Sequence, residues 1–172
     1  VPLELQDLPD VDAPGGDGGL RDVLSAPVGD DTAAYAIAMR QPFDQLRQAA
    51  AQVAGILALA AAGSRTASPD HPMLALARQA YEEAVDAIRS TKSPRQAAHH
   101  HRHMLRAVSF IGRALNEARA TACSGGVVDV DRVLPPLRIG WQELQWTAGA
   151  LPGFEVVAFN QACCAHHGRQ AP

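Results

Sequence analysis

Four of the seven histidines fall within five positions, in the run Ala98-His99-His100-His101-Arg102-His103-Met104. On a helix His99 and His103 stand four apart, so their rings share a face and can chelate one ion. His100 and His103, three apart, offer a second and looser pairing. His101 falls in phase with Leu105 and Val108 and is expected to point into a helical core. Neutral imidazole nitrogen suits zinc, copper, nickel or iron. A helical pair alone supplies too few ligands for a closed shell. The competing reading is that the outward histidines are solvated and His101 is a hydrogen-bonded core residue.

A second cluster lies near the end of the sequence, Gln161-Ala162-Cys163-Cys164-Ala165-His166-His167-Gly168. Two thiols and two imidazoles give Cys163-x-x-His166 and Cys164-x-x-His167, a ligand set that selects zinc or copper over magnesium or calcium. Five residues are too short to wrap four ligands around one ion. Two or three of them can bind, with the histidines of the first cluster or a second subunit completing the sphere. The alternative is a terminal segment whose sulfurs do nothing. A disulfide between Cys163 and Cys164 would close a small, strained and easily reduced ring. Cys123 reads as an inert small hydrophobe.

Other chemistries find little support. No Glu stands three residues before a His, as a di-iron carboxylate bundle needs. There is no His-Glu-x-x-His, Gly-x-Ser-x-Gly, Walker loop or Cys-x-x-Cys-His haem attachment. Asp10 and Asp12 resemble the start of a calcium loop, but Pro14 takes a ligand position and no Glu closes it. A Cys-His nucleophile dyad from Cys163 or Cys164 predicts alkylation-sensitive turnover, with no spacing to favour it over metal ligation. Histidine phosphotransfer domains also carry an exposed His on a four-helix bundle. Here the helix lacks the nearby Lys and is crowded with histidines, so the likeness is architectural only.

Composition narrows the class further. The 172 residues, 47% hydrophobic and 5% aromatic, fit one domain, and the net charge of -3 speaks against a sequence-blind grip on nucleic acid or anionic lipid. No apolar run is long enough to cross a membrane. The start of the sequence lacks the order of a signal peptide. Three cysteines are too few for a disulfide framework, which points to a reducing cytoplasm. The 33 alanines, and 14 arginines against Lys92 alone, fit a GC-rich bacterial genome.

The helices that must hold these side chains are readable from apolar spacing. Residues 9–19 are Pro-, Gly- and Asp-rich without an apolar period, and read as a linker. Asp30, Asp31 and Thr32 are cap-type residues before a first helix. Its seam is Phe43, Leu46, Ala50, Val53, Leu57 and Ala60, with Pro42 either kinking it or starting a second helix, and Gly63 ending it. Ser68-Pro69 and Ser93-Pro94 are expected to cap helices two and three. Helix two buries Leu74, Ala77, Tyr81, Ala84 or Val85, and Ile88. Helix three buries Ala98, His101, Leu105, Val108, Ile111 or Gly112, Leu115 and Ala118, and stops at Ser124-Gly125-Gly126. Helix four is expected to follow Pro135-Pro136, with Leu137, Trp141, Leu144, Ala148 and Leu151 inward and Pro152-Gly153 as its end. Residues 154–159 are strand formers without a partner strand, expected to pack as an extended piece across the body or to pair edge-on with a second copy.

The expected fold is all-α: an up-and-down four-helix bundle over residues 31–151, an irregular arm at 1–30 and an extended tail at 152–172. Many alanines on the seams allow close helix approach but bury little area, so a homodimer is one expectation. The leading functional reading is a non-enzymatic accessory protein that stores, delivers or senses zinc or copper. Its candidate ligands are His99, His100, His103, Cys163, Cys164, His166 and His167. The rival is a metal-free module that docks on a partner enzyme. The discriminating feature is whether the fourth helix ends at the same pole as His99.

Overall fold

The computed structural model describes residues 29–68, 70–120 and 126–154, and within them the protein is all-helical. Among these residues there are four α-helices, α1 Asp30–Ala61, α2 Pro72–Ser90, α3 Ala98–Ala120 and α4 Val130–Ala150, with a 3₁₀ turn Arg95–Ala97 before α3. They pack against one another as a helical bundle around a shared apolar core. Neighbours run antiparallel. Gln45 of α1 reaches Glu83 of α2, Arg78 of α2 reaches Leu115 of α3, and His103 of α3 reaches Glu143 of α4. The linker and most of the arm, Ser124 and Gly125, residues 155–159 and the candidate ligands Cys163, Cys164, His166 and His167 lie outside the described residues.

The first helix is a single rod. It runs through Pro42 without a break for 32 residues, about 48 Å. Pro42 is buried beside Phe43, so apolar packing of the ring offsets the missing backbone bond. The expected seam is buried from Phe43 to Leu57, and Gly63 turns the chain in the left-handed region at φ 75°. The N-cap is Gly29, and Asp30 and Asp31 sit in the first turn, where negative charge suits the helix dipole.

Three boundaries differ from the sequence reading. Helix two is capped by His71, whose Nδ1 accepts from the Met73 amide, and Pro72 rather than Pro69 takes its first turn. Ser93-Pro94 leads into the 3₁₀ turn, and α3 starts only at Ala98. Helix four begins at Val130 behind the Asp129 cap, which leaves Pro135 and Pro136 inside it. The Asp129 side chain satisfies an end amide that a proline start would have left to water. Downstream of the prolines Leu137, Leu144 and Leu151 are buried as expected, whereas Trp141 and Ala148 are half-buried.

The first half of α3 is rotated by about one residue from the expected phase. His100, Met104 and Ala107 face the core, while Ala98 and Leu105 are exposed and His101 is half-buried. Leu105 drew the expected stripe to the wrong side. The real stripe is built on Ala107, Ala114 and Ala118, small residues that let α4 approach closely.

Gly140 marks a close approach of α3 and α4. A methyl group there would meet Ile111 Cγ1 at 2.8 Å and its backbone nitrogen at 3.2 Å. Gly140→Ala gains helix propensity, but the overpacking exceeds that gain and leaves a net loss of about 1 kcal/mol. Urea unfolding checks this: a variant more stable than wild type would show that the helices separate freely.

Candidate metal centre

The antiparallel pairing of α3 and α4 sets the histidine run of α3 beside the last turns of α4. His103 Nδ1 donates to Glu143 Oε2 at 2.7 Å, and the Glu143 side chain is 0% exposed. Arg106, a turn further along α3 and half exposed, brings Nε to 2.9 Å from Glu143 Oε1 as an ion pair without hydrogen-bond alignment. A carboxylate can only accept, so the Glu143 contact fixes the neutral His103 tautomer with its proton on Nδ1. Nε2 is left as a lone pair.

That lone pair faces His99, whose Nε2–H donates to it when no ion is present. The two Nε2 atoms lie 3.2 Å apart, with ring centroids at 4.6 Å and the planes nearly perpendicular. Two nitrogens bound to one tetrahedral zinc at about 2.0–2.1 Å stand about 3.3 Å apart. The pair is therefore spaced for one ion seated off the line between them. Trp146 covers one side, its ring 5.6 Å from that of His103, and stays partly exposed. His99 faces solvent.

His100 is placed differently from its neighbours. It is fully buried, with Nδ1 3.0 Å from the Tyr35 hydroxyl, and its ring packs against Phe154 at 4.2 Å. The same hydroxyl lies 3.2 Å from Nδ1 of His101. Tyr35 thus bridges the two imidazoles, donating to one and accepting from the other. Burial, then the nearby imidazoles of His101 and His103, push His100 down from 6.5 to about 4. Burial also lowers His101 and raises the Tyr35 phenol, so this network is neutral around pH 7. The core histidine expected at 101 is His100, and its contacts are with Tyr35 and Phe154 rather than with the His99–His103 pair.

No family model matches this chain, and neither the curated proteins nor the solved structures contain a match. The site's own chemistry must carry the functional reading.

Among the described residues no group of three or more His, Cys, Asp or Glu side chains is arranged to hold a metal. The pair offers two ring nitrogens and an orienting carboxylate. The chain does, however, return to this pole. Arg40 Nη1 donates to the Gly153 carbonyl at 2.6 Å, and Phe154 wedges between Phe43 and His100. The fourth helix therefore ends at the His99 pole, on the side that a joint site requires. Cys163 follows Phe154 by nine residues, which span about 30 Å when extended.

Glu143 and Arg106 were not among the sequence candidates. Glu143 puts a charge into the otherwise uncharged buried stripe of Gly140, Leu144 and Thr147, and a carboxylate on a buried face needs a partner. That interruption was the available signal. The partner sits 40 residues away on another helix, where no local motif records it.

Proposed function

We propose that the protein is an accessory metal-binding protein whose His99–His103 pair holds a transition metal ion, zinc foremost, for storage, delivery or sensing. One observation carries the reading: two Nε2 atoms 3.2 Å apart, with the far nitrogen of one ring fixed by a buried carboxylate. Carboxylate-oriented imidazole is the usual outer arrangement of protein zinc ligands. The spacing favours tetrahedral zinc over two-coordinate copper(I), which would set the nitrogens on opposite sides of the ion. Cys163, Cys164, His166 and His167 are the proposed source of the remaining ligands. A pair with one ring in solvent suits an ion that exchanges.

Metal content measured by inductively coupled plasma mass spectrometry tests this, on full-length protein purified without affinity tag or chelator. Near-stoichiometric zinc is expected. His99→Ala and His103→Ala should each abolish uptake, and Cys163→Ser with Cys164→Ser should weaken it. Glu143→Gln keeps an acceptor for Nδ1 but not the charge, and should weaken zinc binding by about 10–100-fold. Apo-protein that also rejects added zinc and copper(I) would overturn the proposal and leave the metal-free docking module.

A further inference from the structure

Helices α1 and α4 part below the histidine pole and leave an open groove of about 910 Å³. Its floor is Ala51 and Ala54 of α1, whose methyl groups bring too little bulk to fill it. Leu134, Arg138, Trp141 and Gln145 line its other side at steps of four, three and four, which turns one face of α4 to the groove. Leu134 is left 39% exposed. Arg138 is the one charged residue that lines the groove, and Asp131, on the turn of α4 before Leu134, extends the same face. Both are exposed, and neither forms an ion pair among the described residues.

We infer that this face of α4 pairs with the same face of a second copy of the chain, antiparallel about a two-fold axis close to Leu134. The first argument is charge. Asp131 and Arg138 stand two helical turns apart, about 10 Å, on one face with Leu134 between them. A two-fold axis through the middle of that stretch sets Arg138 of each copy against Asp131 of the other and brings the two Leu134 side chains together. The face is thus complementary to itself. A parallel arrangement would set Arg138 against Arg138 and is repelled.

Shape agrees with charge. The alanine floor leaves room beside Leu134 for a second leucine, and the pairing removes from water apolar surface that one bundle leaves exposed. A small ligand in the groove would answer Arg138 but leave Asp131 without a partner. An unrelated protein would have to offer an anion and a cation two turns apart around an apolar centre, and the chain already carries that arrangement. The contact covers about two turns of helix on each side, so association is weak and depends on concentration. It lies towards the pole opposite the His99–His103 pair and does not rest on metal binding.

Sedimentation velocity of the full-length protein in EDTA tests the pairing. A monomer–dimer equilibrium is expected, and a monomer at every concentration up to about 100 µM would overturn the inference. A dimer that forms only on adding zinc would overturn it too, because that dimer belongs to the histidine pair. Arg138→Asp sets carboxylate against carboxylate twice and should weaken the dimer by about 10-fold or more. Adding Asp131→Arg reverses both pairs and should restore the wild-type affinity. An unchanged dimer in the single variant, or no recovery in a double variant with wild-type helical circular dichroism, would each overturn the pairing. Should the double variant lose its helicity, Leu134→Asp decides. It places two carboxylates at the axis and should abolish the dimer, and a dimer that survives it rules this face out.

Discussion

Phe154→Ala lowers the free energy of unfolding by about 3–5 kcal/mol, the range for deleting a buried phenyl ring. The ring is 1% exposed although it lies four residues past the end of α4. It meets Phe43 edge-to-face with planes at 90° and covers the buried imidazole of His100. Truncation removes both contacts and leaves a cavity too well braced by α1 and α3 to collapse. It also opens His100 Nε2, a buried atom without a hydrogen-bond partner, to water. The variant should therefore take up a proton at His100 more readily than wild type. Urea unfolding at pH 7 gives the first quantity and histidine titration by NMR the second. A loss below about 1 kcal/mol would mean that Phe154 caps the bundle without being part of its core.

Acidification should remove a comparable amount of stability, centred on His100. Its folded value is about 4, against 6.5 when unfolded. Above pH 6.5 neither state is protonated there, and stability is insensitive to this group. As pH falls from 6.5 towards 4, the unfolded chain binds a proton that the folded protein refuses, so stability declines. The loss approaches about 3 kcal/mol near pH 4 and then levels off. His101, lowered by burial in the same way, adds to it with the same sign. A charged His100 keeps the Tyr35 hydroxyl as acceptor for its Nδ1–H, but its second N–H, at the buried Nε2, has no acceptor. Carboxylates contribute their own slope, so the quantity to read is the difference between wild type and His100→Gln across pH 7.5 to 4.5. Parallel curves would sink the assignment.

The number of helices and most of their seams were legible because Phe43, Leu46, Val53, Leu74, Ile88, Ile111 and Leu144 repeat at three and four. The phase of α3 was harder. Where alanine supplies the buried stripe, a single surface leucine outweighs it in any hydrophobic count, and Leu105 displaced His100 in favour of His101. The pairing of His99 with His103 followed directly from helical spacing. The carboxylate behind them did not, because Glu143 becomes a neighbour only after α3 and α4 dock. Boundaries failed where two signals competed, as at Ser68-Pro69 against His71-Pro72. The cap that also served packing prevailed.

The direction of the helices has a practical consequence. Helix α1 starts beside Gln96, just ahead of the histidine run, and the segment after α4 is pinned by Arg40 at that same pole. Anything fused to either end of the bundle emerges over His99 and His103. A polyhistidine tag at either end would bring foreign imidazoles to the pair and mimic the occupancy being measured. The opposite pole offers a safer handle. There the exposed turn at Arg65 and Thr66 lies beside Ala67, whose carbonyl accepts from Val128, far from the histidine run. An epitope inserted in that turn would report on the protein without supplying ligands to it.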